Sequence, residues 1–416
     1  MRGSVNFVKA ASSSPIQIVH STDFQLGVSY RSLRGKGDLT NLRKRDFRRN
    51  VERIVKYIIE NNIDLFLITG DIFHSPQPLS DDFVFISECI GRLASHGVWT
   101  VAIAGNHDRP RIAERRSTLE GLVKANSPYF LYVDRLRDRP ISLEIGGKRI
   151  SIVAIPYIHR QVLKLIDSKI SYESYIQNHI AEMVSDSVFR EADVRILMAH
   201  FLLKGARFPQ GLLPYVEEPV INYSNLLPDK FHYIALGHIH KPQKVYENAY
   251  YAGSIERIDF SEEKDQKSFN HITLNSGPCS VEQIPLECRP MHTLSVKLPN
   301  VKNPLDLLIE TIRSENIPKG TILNLKLNLS EATWNVIDSG WSHVDNLLLD
   351  ELEVFGYRYF VETPGIDRGR VIDISKIDVR RQVELYIKNL DISDSLKNRM
   401  VELAGHIVDE VESGEA

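Results

Sequence analysis

The chain has 416 residues, 43% of them hydrophobic, and a formal net charge of −3. It is too long for one ordinary core and predicts two or three domains, while the near-neutral charge excludes a uniformly basic nucleic-acid binder and leaves phosphate recognition to local patches. Three cysteines, Cys89, Cys279 and Cys288, show no CxxC spacing, so no disulfide framework is implied and a reducing, cytoplasmic compartment is expected. No apolar run is long enough to span a bilayer.

Residues 1–15 lack the apolar segment of a signal peptide and read as a disordered lead-in. Ile16-Gln17-Ile18-Val19-His20 is the first expected strand, and its end delivers Asp23. Between Arg31 and Lys56 lie ten Lys or Arg against three acids. The second half of that stretch is predicted to be a helix, because Phe47, Val51, Ile54, Val55 and Ile58 recur at helical spacing. Arg45, Arg48 and Arg49 fall on its other faces, either as a solvated surface or as phosphate contacts.

Apolar runs at residues 65–69 and 98–104 predict two buried strands, followed by Gly70-Asp71-Ile72-Phe73-His74 and Gly105-Asn106-His107-Asp108. Helices expected over 80–94 and 112–125 complete a β-α-β alternation, and this implies a parallel sheet. A hairpin turning at Gly146-Gly147 joins strands at 141–144 and 149–155, and a helix is predicted over 174–184. Two further apolar strands end on histidines, one at His200 and one at Gly237-His238-Ile239-His240. A last strand near 271–274 closes a first region, 16–290.

Beyond it, strands at 293–298, 321–329 and 357–362 with helices at 304–313 and 343–355 predict a small α+β module, 291–362, with no candidate ligands. A polar linker, 363–374, leads to residues 375–416, where Val379, Val383, Tyr386 and Leu390, then Leu396, Met400, Leu403, Ile407 and Val411, mark two amphipathic helices. Two isolated apolar stripes need a surface to dock on, either the small module or a partner.

Asp23, Asp71, Asn106, His200, His238 and His240 all follow strands, where open α/β sheets place their ligand sites. Mixed oxygen and nitrogen donors of this kind suit manganese, iron or zinc better than calcium. Two such ions about 3.5–4 Å apart clamp a phosphate ester and generate hydroxide at neutral pH, so the implied reaction is phosphoester hydrolysis.

These strings resemble the metallophosphoesterase superfamily, through Asp23, Gly70-Asp71, Gly105-Asn106-His107-Asp108, His200 and Gly237-His238-Ile239-His240. Within it the chain resembles the SbcD nucleases, bacterial relatives of the meiotic recombination nuclease, through His20-Ser21-Thr22-Asp23-Phe24-Gln25-Leu26-Gly27, Gly70 to His74, and Gly253-Ser254-Ile255-Glu256-Arg257-Ile258-Asp259-Phe260 with Glu262 and Glu263. The resemblance implies a β-sandwich flanked by helices, two divalent ions with manganese foremost, and cleavage of DNA ends in double-strand-break repair. Asp71 would bridge the ions, with Asp23 and His240 on one and Asn106, His200 and His238 on the other. His107 would act on the leaving oxygen and His74 would orient the phosphate, while Asp108 would support a neighbour. Arg45, Arg48, Arg49 and Arg109 are candidate DNA contacts.

The resemblance also implies a capping domain at 291–362, a homodimer through Phe83, Phe85, Ile86, Leu119 and Leu122, and an SbcC-like ABC ATPase held by 375–416. The chain itself contains no P-loop. One position departs from the family, whose first motif is Asp-x-His. Here Gln25 stands at the histidine, and a neutral amide oxygen is the weaker ligand. A nuclease with altered metal affinity and a DNA-end-binding scaffold both remain open, as does hydrolysis of a small phosphodiester.

Overall fold

A computed structural model describes residues 14–362, apart from 31–32, 110–116, 125–128, 160–170, 208–218 and 275–278, together with 397 and 399–401. The linker and almost all of the C-terminal helices expected over 375–416 lie outside the described residues, as does the start of the helix expected at 112.

Among the described residues, two six-stranded mixed sheets form the larger part. Strands β1 (Ile16–Ser21), β2 (Leu65–Ile68), β3 (Trp99–Ile103) and β4 (Phe130–Val133) run parallel in sequence order. The second sheet is built on β5 (Ile141–Ile145), β6 (Lys148–Ile155), β7 (Val194–His200), with a short pair β8 (Leu202–Leu203) and β9 (Val220–Ile221) beside it, then β10 (Tyr233–Gly237), β11 (Gln243–Lys244) and β12 (Ala249–Tyr251). Strands β13 (Ser268–Leu274) and β14 (Ser280–Pro285) return to the first sheet, where β13 pairs antiparallel with β1.

The two-residue period of a strand divides its side chains between two cores. Ile18, Leu65, Leu67, Val101 and Ile103 face Ile150, Ile152, Ile196, Met198 and Ala235 across the gap between the sheets. Their neighbours Val19, Phe66, Ile68 and Ala102 face outward, where the stripe of helix α1 (Leu39–Glu60) and that of α2 (Ser80–Ser95) cover them. Asp38 caps α1 by accepting from the Asn41 amide at 3.0 Å. Of the helix expected over 112–125, the described part is α3 (Glu120–Lys124), which follows a turn at Thr118 and Leu119. On the far side, Ile176, Ile180 and Met183 of α4 (Tyr172–Ser185) cover Val153, Leu197 and Ile234.

The remaining unit holds β15 (Met291–Lys297), α5 (Pro304–Ser314), β16 (Ile322–Asn328), α6 (Glu331–Ser339), α7 (Trp341–Asn346) and β17 (Gly356–Glu362). Its three strands are all parallel, so it alternates as β-α-β rather than segregating into the α+β arrangement expected. The helix expected at 343–355 ends early, passing into a π turn at Leu347–Glu351. Helix α6 escaped the sequence reading; Thr333 and Ile337 are its buried positions.

Charged side chains dock this unit. Arg289 makes two bonds to Asp46 of α1, at 2.6 and 2.8 Å, donates to the Gly320 carbonyl at 3.1 Å and lies 3.8 Å from the Phe355 ring centre. Within the larger part, fully buried Arg43 pairs with both Asp46, the partner of Arg289, and Glu256 at 3.1 Å. Arg34 and Tyr357 exchange backbone hydrogen bonds of 2.7 and 2.8 Å.

Between the sheets, His20 bonds Tyr233 through Nδ1 and Thr69 through Nε2, each at 2.9 Å. Burial lowers its pKa to about 3. The unfolded chain, at about 6.5, therefore takes up that proton first, and stability present above pH 6.5 drains away as pH falls toward 3. The slope for one such group approaches about 1.4 kcal/mol per pH unit. Thermal melting of chelator-treated protein at pH 7 and pH 5 should show a smaller drop for His20→Gln than for the native chain; equal drops would rule out this share of the acid sensitivity.

Candidate metal centre

Because β1, β2 and β3 are parallel neighbours, as are β7 and β10, their carboxyl ends open at one edge of the sandwich. Asp23 and Gln25 follow β1, Asp71 follows β2, Asn106 and His107 follow β3, His200 ends β7, and His238 and His240 follow β10. The backbone turns sharply there: Asp23, Gln25, Asp71 and His238 all have positive φ, at 51, 49, 53 and 96°. Such non-glycine conformations are strained and cluster at functional sites. Two glycines make the crowding possible. A Cβ on Gly105 would stand 2.0 Å from Asp71 Oδ1, and one on Gly70 would stand 2.3 Å from His200 Nδ1.

The candidate ligands gather around Asp71. Ligand atoms of Asp23, Asp71 and His200, all three residues buried, lie within 4.8 Å of one another. His200 gives its Nδ1 proton to the Thr69 carbonyl at 2.7 Å, which turns Nε2 inward, 3.0 Å from Asn106 Oδ1 and 3.7 Å from Asp71 Oδ2. Burial lowers its pKa to about 3, so the ring is neutral and Nε2 carries a lone pair. His238 Nδ1 is 3.1 Å from the same Asn106 oxygen. On the other side His240 Nε2 lies 3.8 Å from Asp23 Oδ1, while Asp23 Oδ2 accepts from the His238 amide at 3.1 Å. Asp71 has its pKa raised well above the usual range by burial and by the charges of Asp23 and Asp108.

Asp108 holds the loops in place. Its carboxylate accepts from the backbone of Ile72, Phe73 and Gly105 at 3.2, 2.9 and 3.0 Å, and burial raises its pKa to about 6 against those bonds. His107 donates its amide to Asp71 Oδ1 at 2.8 Å and has Nδ1 3.0 Å from the His74 carbonyl. That bond leaves Nε2 free to meet a ligand. The His74 and His107 rings stack with centroids 5.1 Å apart, and burial lowers both pKa values.

Gln25 is placed differently from a ligand. Its Nε2 donates to Asp71 Oδ2 at 2.8 Å, and its Oε1 stands 2.8 Å from His74 Nδ1. The amide thus joins the central carboxylate to His74 instead of turning its oxygen inward. Among the candidate DNA contacts, Arg45 and Arg49 are exposed on α1, Arg48 is paired with Asp82 at 2.8 Å, and Arg109 reaches the Tyr157 carbonyl at 3.5 Å. None of these four belongs to the cluster of ligand atoms.

A family model for calcineurin-like phosphoesterases matches residues 16–242, more than half of the chain. The chain belongs to this family. Solved structures that it resembles include a dimetal phosphatase from Danio rerio, at 10% identity and TM-score 0.38, covering 65% of this chain and 96% of that one. Another is TT1561 of Thermus thermophilus, at 10% identity and TM-score 0.36, covering 65% and 99%.

The residues of this phosphoesterase fit divalent ions. Asp23 Oδ1 is a buried carboxylate oxygen with no hydrogen-bond partner, a costly state that a cation relieves. The lone pair on neutral His200 Nε2 faces another acceptor, Asn106 Oδ1, which calls for a positive charge between them. Asp23, Asp71 and Asp108 bring three buried carboxylates together, and ions would offset their mutual repulsion.

Two residues supporting the site went unread in the sequence. In the sequence Glu262 stands out only as part of the motif that begins at Gly253, and Lys267 belongs to no motif. Their signal is weak, because a lysine beside a strand normally reads as solvated surface. Gly105→Ala should cost the chain most of its metal binding while leaving the strands intact, measured as bound manganese per chain beside a far-ultraviolet dichroism spectrum; native metal content would contradict the close approach described for Asp71.

Proposed function

We propose that this phosphoesterase is a nuclease subunit that hydrolyses phosphodiester bonds at DNA ends, with manganese as its metal. The observation that supports a polymeric substrate is a cleft of about 830 Å³ beginning at Lys241, one residue beyond His240. One wall is the face of the three-stranded sheet carrying Thr293, Asn324, Lys326, Arg358 and Phe360. The Arg358 guanidinium lies 4.4 Å from the Phe260 ring and 5.1 Å from the half-exposed Phe360 ring, with Nε bonded to Asn324 at 3.0 Å. The lining is mixed in charge, with Asp259, Glu263, Asp265 and Glu362 beside Lys241, Lys264, Lys326 and Arg358, so the support rests on the aromatic faces beside Arg358, on which the bases of a nucleic-acid strand can stack.

Bound divalent ions supply Lewis-acid stabilisation of the charge on the phosphoryl oxygens. Asp23, Asp71, Asn106, His200, His238 and His240 would hold them. His107 directs Nε2 toward the leaving oxygen, and His74 orients the phosphate through the ring nitrogen not facing Gln25. The partners proposed are a second copy of the chain and an SbcC-like ATPase bound through residues 375–416, with work at the nucleoid. Ile86 and Leu119 face the core, so a homodimer would use exposed Leu79 and Val84 and the partly exposed Phe83, Phe85 and Leu122. Among the described residues no helix is long and apolar enough to cross a membrane.

A second reading, a DNA-end-binding scaffold with impaired catalysis, draws on Gln25, whose amide nitrogen rather than an imidazole meets Asp71. Manganese-dependent cleavage of an end-labelled duplex separates the two. The native chain should cleave, Gln25→His should need roughly tenfold less manganese, and His107→Ala should lose about 10²–10⁴-fold in rate. Metal-loaded protein that binds DNA without cutting it in any variant would support the scaffold. Phe360→Ala should weaken binding of single-stranded DNA by roughly tenfold through lost stacking, read by fluorescence anisotropy; unchanged affinity would remove the cleft from the substrate path.

A further inference from the structure

His200 and His240 sit on opposite sides of the centre and are held by different partners. His200 gives its Nδ1 proton to a neutral carbonyl, that of Thr69. His240 Nδ1 instead meets a carboxylate oxygen, Glu262 Oε1, at 2.8 Å. The other oxygen of Glu262 accepts from Lys267 Nζ at 2.8 Å and from the Ile258 amide at 3.1 Å. Lys267 also donates to the backbone carbonyl of His240 at 2.9 Å. Ring and backbone of His240 are thus gripped by one buried ion pair, whose side chains are 2% and 0% exposed.

Burying an ion pair is costly, and its retention asks for a reason beyond stability. The neighbouring Gln25 offers one. Its amide is spent on Asp71 and His74, so His240 is the imidazole that stands opposite the unpartnered Asp23 oxygen, 3.8 Å away. A carboxylate behind a metal-binding histidine fixes its tautomer and increases its strength as a donor, while the lysine prevents that carboxylate from turning away.

We propose that Glu262 and Lys267 are positioning residues that hold His240 as a strong nitrogen donor toward the ion on the Asp23 side, making up for the amide at position 25. This rests on the metal centre described above. The turn Phe260–Glu262 and the residue just before β13 carry the pair, so the segment between His240 and β13 serves the site although it contributes no ligand of its own.

The test is manganese binding to the full chain by isothermal titration calorimetry, with bound metal counted by mass spectrometry. Glu262→Gln should weaken one of two ions by about 10–100-fold and leave the other at its native affinity. Lys267 loses its counter-charge in that variant, so Glu262→Gln with Lys267→Met is measured beside it. The double variant should melt close to the native temperature and still show the one weakened ion. A merely structural role would lower the melting temperature and leave the ratio of the two affinities unchanged. Native affinity for both ions in either folded variant overturns the positioning role alone, whereas a native chain that binds no manganese overturns the metal centre and this role with it.

Discussion

Three carboxylates, Asp23, Asp71 and Asp108, are buried together at the edge of the sandwich, and the surrounding architecture answers to that constraint. Like charges out of water repel strongly and must be bonded, protonated or matched by a cation. Asp108 is satisfied by three backbone amides and Asp71 by Gln25 and the His107 amide. Asp23 keeps an oxygen with no partner, facing the imidazole of His240. The strained backbone at Asp23, Gln25, Asp71 and His238 belongs to the same constraint, since those turns aim polar groups inward from the ends of strands.

Gln25 changes the balance between the two sides of this centre. On the side of Asn106, His200 and His238 the nitrogen and oxygen donors of the resemblance are all present and drawn together. On the Asp23 side an amide stands where the resemblance implies an imidazole, and it faces Asp71 and His74. The strength of that side then falls on His240 and on the Glu262 and Lys267 pair behind it. One departure from the resembled motif therefore shifts importance to residues more than two hundred positions farther along the chain.

The small three-stranded unit is tied to the same end of the molecule by charged side chains and by the backbone pair of Arg34 and Tyr357. Arg289 joins α1 to Gly320 and Phe355, and Arg43 is enclosed between Asp46 and Glu256. These bonds keep one face of its sheet opposite the turn at Phe260, which leaves the open cleft beside Lys241. In the stretch of ten basic residues, this is where part of the charge is used. Arg43 and Arg48 serve ion pairs, and Arg45 and Arg49 remain at the surface.

The sequence by itself determined which residues stand at strand ends. Apolar runs terminate at Asp71, Asn106, His200 and His238, and an apolar run must be buried whatever the tertiary arrangement. It likewise carried the β-α-β order, the hairpin at Gly146 and the stripe of α1. Only the tertiary structure decided how the two sheets face each other, which brings the ends of β1, β2 and β3 against those of β7 and β10. Strands β4 and β14 and helix α6 stayed hidden because short or half-exposed segments carry little periodic signal. The direction of the Gln25 amide, the burial of Arg43 and the service of Lys267 to His240 were likewise invisible in the chain order. Each depends on a partner between 27 and 213 residues away: Lys267 on His240, Gln25 on Asp71 and Arg43 on Glu256. Local propensity describes a residue's own backbone, and it is blind to the charge that folding brings beside it.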